Sequence, residues 1–150
     1  MYQVQRKNRI KEQLQLCNAD GSVAFVADVD LNVDIIANRV SKAYESLGMA
    51  QIALQQEPQD QKAMEAYGEA VIAVFSVIFG EEDTKRIVEF YENNWTEMLL
   101  DLFPFINNEI MPKIREASAE RKDQLISAAK EVNKGNRTKK KRFLWRLFRK

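Results

Sequence analysis

Apolar residues recur at three- and four-residue spacing through most of the chain after Asp30, and this period constrains the fold more than any other feature. The spacing predicts amphipathic helices, because positions three or four apart lie on one face of an α-helix. We expect a first helix over roughly residues 32–55 and a second over residues 60–79. A short third helix is expected within EEDTKRIVEFYENN, residues 81–94.

Local signals mark where these predicted helices begin and end. Asp30 or Asn32 is expected to cap the first helix and Asp60 the second, because short polar side chains accept hydrogen bonds from free backbone N–H groups. Gly80 is expected to stop the second helix, since glycine readily adopts the backbone conformation that follows a helix end.

The second half of the chain contains one further start signal and several predicted breaks. Asn94 and Glu97 resemble a capping box that begins a fourth helix. Pro104 should kink or break that helix near residues 101–103. The apolar spacing resumes at Ile106, and a long, charged, weakly apolar helix follows, which we expect to end at Gly135.

The segment before the helices, KEQLQLCNADGSVAFVADV (residues 11–29), predicts a β-hairpin. Leu14 and Leu16 alternate with glutamines, and Val23, Phe25 and Ala27 are expected on one face of the second strand. The intervening NADG supplies turn residues, because glycine tolerates a positive φ. A lone hairpin is marginal in water, so we expect it to pack on the helices.

These elements predict a mainly α (α+β) fold, in which an N-terminal β-hairpin packs on a bundle of about five helices, with a basic C-terminal appendage. We expect a single mostly helical domain over residues 1–133 and a basic amphipathic tail over residues 134–150. The predicted core residues are Val71, Phe75, Ile78, Phe90, Leu99, Phe103 and Ile106.

Charge is divided unevenly along the chain. Residues 134–150 contain nine Lys or Arg and no acid, whereas residues 1–133 contain 14 basic and 22 acidic residues, a net charge of −8. In a helix, Phe143, Leu144, Leu147 and Phe148 would share one face, at spacings of three and four residues. We predict tail contacts by these four residues and by Trp145. Anionic lipid, nucleic acid or an acidic partner would each fit this pattern. The acidic body itself, in the same chain or in another copy, is one such acidic partner.

Composition argues against an enzyme. The chain has no histidine, which removes the usual general base near neutral pH and the commonest metal ligand. It has one cysteine, Cys17, and no glycine-rich phosphate-binding motif. We therefore expect no catalytic, cofactor-binding or metal-binding residues.

The sequence also predicts a cytosolic protein without a transmembrane segment. The N-terminal MYQVQRKNRI lacks the apolar stretch of a secretory signal. The longest apolar run, residues 70–79, has about half the length that a membrane-spanning helix needs.

The middle of the chain, AYGEAVIAVFSVIFGEEDTKRIVEFYENNWTEMLLDLFPFINNEIMPKI (residues 66–114), resembles tail assembly chaperones of long-tailed (siphovirus-type) phages and prophages of Gram-positive bacteria. The most particular parts are IFGEED, EFYENN followed by W.EM, and D.FPFI...I.PKI. These are packing patterns rather than catalytic signatures. The resemblance covers roughly residues 14–114, and the basic tail is not part of it.

The resemblance implies a small, non-enzymatic helical protein made in the host cytoplasm. Such proteins bind the tape measure protein, and we expect this one also to bind tail tube subunits and to form homo-oligomers. Many are also made as a longer product by ribosomal frameshifting. Residues 95–114 contain more large apolar residues than one short segment needs for its own packing. We therefore predict the partner contacts at Leu99, Leu102, Phe105 and Ile110.

A second hypothesis is a small nucleic-acid-binding or regulatory protein that uses the basic tail. Its nine positive charges are interleaved with Phe143, Trp145 and Phe148, a combination that suits single-stranded nucleic acid. Against this hypothesis, the acidic body would repel phosphate, and no helix-turn-helix or other reader module is evident. We therefore favour the chaperone and do not expect nucleic acid as a partner.

Overall fold

The computed structural model describes residues 1–4 and 9–148, with side chains up to residue 135. The secondary-structure elements are, in order, β1 (Ile10–Cys17), β2 (Val23–Leu31), α1 (Val33–Gln56), α2 (Gln61–Phe79), α3 (Glu81–Phe90), α4 (Trp95–Phe105), a π-helical segment (Ile106–Ile110) and α5 (Met111–Phe148). The chain forms two compact units, Met1–Arg115 and Glu116–Lys150. In the first unit the hairpin packs on the helices through β2 and α2. This arrangement confirms the predicted fold class.

The hairpin pairs β1 with β2 in antiparallel register, from Ile10 opposite Leu31 to Leu16 opposite Phe25. Gly21 has a φ of 89° in the turn, as the NADG motif predicts. The register shifts after Leu16, so that Val23 pairs with the exposed Cys17. Val23 is 50% exposed, and its predicted place on the same face as Phe25 and Ala27 is wrong, because one extra residue turns its side chain to the other face.

The helix starts follow the local signals. Asn32 caps α1, and its side-chain oxygen accepts a hydrogen bond of 3.0 Å from the backbone N–H two residues on. Asp60 caps α2 in the same way at 3.1 Å. Asn94 caps α4 through the N–H of Glu97 at 3.2 Å. Gly80, with a φ of 83°, ends α2, so four of the predicted boundaries are confirmed.

The chain does not break at Pro104. α4 includes this proline, and helical backbone continues through the π-helical segment into α5, which contains Pro112. Both prolines are exposed, as are Leu100 and Asn108, each four residues earlier. A proline deprives the carbonyl four residues before it of a hydrogen bond. On the solvent side water can satisfy that carbonyl, which explains why the helix does not break. Of the predicted kink or break, the break is therefore wrong, and the kink stays a prediction.

α5 also continues through Gly135 to Phe148, so the predicted helix end at Gly135 is wrong. Glycine inside a helix costs only about 1 kcal/mol relative to alanine, which does not by itself end a helix. The boundary between the compact units lies at residues 115 and 116, whereas the predicted domain boundary lay at residues 133 and 134.

The core of the first unit is built around α2. Val71, Phe75, Ile78 and Ile106 are buried as predicted, whereas Phe90, Leu99 and Phe103 remain partly exposed. The ring of Phe75 stacks on Phe79 at 6.0 Å and meets Phe103 edge-on at 6.4 Å. The hairpin and α1 complete this core with Ala27, Val29, Leu31, Ile36, Val40 and Leu47.

Candidate partner-binding surfaces

The structure separates the four residues predicted to contact partners. Leu102 and Ile110 are 4% and 0% exposed and belong to the core. Their predicted place on a surface is therefore wrong, because they lie on the inward face of the α4 and π-helical backbone. Leu99 and Phe105 are partly exposed. Their contact with a partner stays a prediction.

Leu100 is the large apolar residue that α4 exposes most, with 71% of its surface accessible. The sequence does not predict this exposure directly, because the apolar run from Met98 to Leu102 does not indicate which residue faces outward. A signal was nevertheless present, since Pro104 follows Leu100 by four residues. A helix accommodates a proline most easily on its solvent side, so the residue one turn earlier is expected there too.

The elements around Leu100 carry most of the negative charge of the first unit. Residues 63–112 contain ten acidic residues and two basic ones, Lys85 and Arg86, a net charge of −8. The guanidinium of Arg86 lies 4.6 Å from the ring centre of Phe25 and 3.9 Å from the carboxylate of Asp83. The surface formed by α2, α3, α4 and the π-helical segment is therefore acidic.

One carboxylate of this surface interacts with a buried tyrosine. Asp101 of α4 acts electrostatically on the hydroxyl of Tyr91, the residue that follows α3. Burial, together with the charge of Asp101, raises the pKa of Tyr91 well above its ordinary value of 10.0. Tyr91 therefore stays protonated, while Asp101 keeps an exposed position beside Leu100.

The second unit exposes a different apolar stripe. From residue 122 to residue 135 every described side chain of α5 is exposed, including Leu125, Ile126 and Val132. Leu125 and Val132 are seven residues apart, about two helical turns, so they share one face. The sequence did not predict this stripe, because the segment contains too few apolar residues to show a clear helical period.

The predicted tail contacts lie outside the described side chains. The backbone is helical up to Phe148, and the structure describes no side chain after residue 135. Contacts by Phe143, Leu144, Trp145, Leu147 and Phe148 therefore stay predictions.

A cleft of about 490 Å³ lies in the first unit between the end of β2, the start of α1 and the end of α2. Ile35, Ile36 and Val77 contribute to its apolar wall. Its rim holds two arginines and three carboxylates, and Arg9 is already paired with Asp30 at 2.6 Å. The cleft therefore does not select ligands of one sign of charge.

Comparisons with known proteins identify no relative. No family model matches the sequence, and no curated protein or solved structure is significantly similar to it. No helix within the described residues is long and apolar enough to cross a membrane. Over the same part of the chain, no three acidic or cysteine side chains form a group that could hold a metal ion.

Proposed function

We propose that this protein is a non-enzymatic assembly chaperone of a long-tailed phage or prophage. In this proposal it acts in the host cytoplasm, forms homo-oligomers, and binds the tape measure protein and tail tube subunits while the tail is assembled. The resemblance of residues 66–114 to such chaperones is the reason for naming these partners.

The exposed stripe of α5 is the structural observation that supports this proposal best. Leu125 and Val132 lie on one face of a helix segment whose side chains remain exposed. Helices without tertiary packing are weakly stable in water, so a partner that covers this face would stabilise the segment. A tape measure protein is a long helical chain, and amphipathic helices commonly bind apolar helix faces.

Co-expression with a tape measure protein encoded in the same genome tests the proposal. We expect the two proteins to co-purify, and the tape measure protein to become more soluble. The double variant L125S/V132S should weaken co-purification, because it removes the apolar stripe. The matched variant I52S, at an exposed position of α1, should retain it. If the wild-type chain neither co-purifies with the tape measure protein nor changes its solubility, the proposed function is wrong.

The alternative function, nucleic-acid binding by the tail, is supported by the nine basic residues between positions 134 and 150. Binding to random single-stranded DNA at about 0.15 M salt distinguishes the two proposals, because phosphate contacts give a steep dependence on salt. Tight, salt-dependent binding that is lost in K139E/K140E/K141E would favour the alternative. Weak binding would favour the chaperone.

A further inference from the structure

We infer that the outer face of α4, centred on Leu100, is the docking surface for the basic C-terminal segment (residues 137–150) of a second copy of this chain. The inference specifies how the proposed self-association occurs. It requires no phage partner, so its failure would leave the binding of the tape measure protein untouched.

The α4 face is apolar at its centre, and no other described element of the first unit covers it. Leu100 is 71% exposed, and Thr96 and Pro104, one turn before and after it, are exposed as well. Trp95 and Leu99 are partly exposed beside them. A partner with apolar side chains could therefore bury Leu100 and cover these neighbours without disturbing the core beneath α4.

The charge of this face identifies its partner. Residues 87–112 include five acidic residues and no basic residue, and two of those acids, Glu97 and Asp101, flank Leu100. Glu97 accepts a hydrogen bond from the side chain of Asn94, and Asp101 lies near the neutral hydroxyl of Tyr91, so the groups that these two carboxylates meet are uncharged. No ion pair to either carboxylate occurs among the described residues. A cationic partner would therefore find both negative charges available.

The C-terminal segment has the complementary composition. Residues 137–150 contain eight Lys or Arg and no acid, together with Phe143, Leu144, Trp145, Leu147 and Phe148. Opposite charges would steer the segment to the acidic face and fix its orientation, while its apolar residues would cover Leu100. Each chain carries one such face and one such segment, and the two differ, so copies would join head to tail.

Two full-length variants test the inference. L100K places a positive charge at the centre of the docking face, where the exposed position should leave the fold unchanged. K139E/K140E/K141E reverses three charges of the segment and leaves the face intact. At about 0.05 M salt, where charges are screened least, we expect the wild-type chain to form oligomers that dissociate at about 0.5 M salt.

Each variant alone should sediment as a monomer at low salt. A mixture of the two should sediment at twice the mass of one chain, because the intact face of one variant can bind the intact segment of the other. The control variant I52K, at an exposed apolar position on α1, should oligomerise like the wild type. Circular dichroism should show the same helix content in all four proteins.

Several results would overturn the inference. These are a wild-type chain that stays monomeric at low salt, an L100K chain that oligomerises like the wild type, and a mixture that remains monomeric. Docking of the segment on its own chain would give that last result. A monomeric wild-type chain that binds vesicles containing phosphatidylserine, or single-stranded DNA, would assign the segment to lipid or nucleic acid instead.

Discussion

At the scale of single residues, a buried hydroxyl group provides the clearest opportunity to stabilise the core. Thr84 of α3 is 2% exposed, and its Oγ1 has no hydrogen-bond partner in the described part of the chain. Thr84→Val keeps the branched shape and removes the unsatisfied group, so the free energy of unfolding should rise by about 1–2 kcal/mol. Urea denaturation measures this change.

The matched control for Thr84 is Thr96→Val on the exposed face of α4. This substitution should change the unfolding free energy by no more than about 0.5 kcal/mol, as is usual for surface positions. If Thr84→Val is neutral or destabilising while the control is neutral, the hydroxyl of Thr84 has a partner such as bound water.

Tyr91 gives a prediction about alkaline pH. Its pKa is raised in the folded chain, chiefly by burial and then by Asp101, from a value of 10.0. Its contribution to stability is therefore complete below pH 10 and decreases above it, because the unfolded chain loses the phenol proton first. Tyr91→Phe should make the decrease of the unfolding free energy above pH 10 shallower. Denaturant titrations at several pH values measure the slope.

A second tyrosine completes the test of Tyr91. Burial also raises the pKa of Tyr44, so Tyr91→Phe should retain part of the alkaline slope. An identical slope in the wild type and in Tyr91→Phe would show that the hydroxyl of Tyr91 does not resist ionisation in the folded chain.

At the scale of secondary-structure elements, Gly135 tests the continuity of α5. The glycine lies inside the helix, and a Cβ atom built there meets no neighbouring atom within 4 Å. Gly135→Ala should therefore stabilise the local helix by about 0.5–1 kcal/mol and increase the helical circular dichroism signal. Gly21→Ala, at a φ of 89° in the hairpin turn, should destabilise the chain instead. An unchanged signal for Gly135→Ala would indicate that the helix ends there.

The elements also show which parts of the fold the sequence could predict. Helix starts were predictable, because a cap such as Asn32, Asp60 or Asn94 acts within two or three residues. The continuity of the helical backbone through Pro104 and Gly135 was not predictable, because the free-energy cost of a proline or glycine inside a helix depends on its surroundings. Pro104 faces solvent, which lowers this cost.

The candidate site, too, was only partly predictable from the sequence. The sequence indicated that the region of α4 contains surplus apolar residues, but it placed the buried Leu102 on the surface and missed Leu100. Both residues fit an amphipathic pattern, and only the packing of α4 on α2 determines which one faces the core. The tail contacts stay predictions for a different reason, since no side chain is described there.

At the scale of the whole molecule, opposite charges occupy separate segments. Residues 63–112 have a net charge of −8, and residues 134–150 have a charge of +9, although the complete chain has a net charge of only +1. Segregation of this kind favours ordered contacts between copies, because like segments repel and unlike segments attract. It also makes any such contact sensitive to salt. The head-to-tail assembly inferred above depends on this property.

The two compact units lead to a final prediction, about proteolysis. The buried core of the first unit includes Ile114, and the side chains of α5 from residue 122 to residue 135 are exposed. Helical segments with few buried contacts open locally at low free-energy cost, so brief trypsin treatment should cut within residues 115–134 before it cuts in α3. The limiting fragment should therefore end at Arg115, Arg121 or Lys122, as mass spectrometry can determine. Because this fragment retains the core, its melting temperature should lie within a few degrees of that of the full chain. Early cleavage at Lys85 or Arg86, or a much lower melting temperature, would show that the first unit depends on the rest of α5 for its stability.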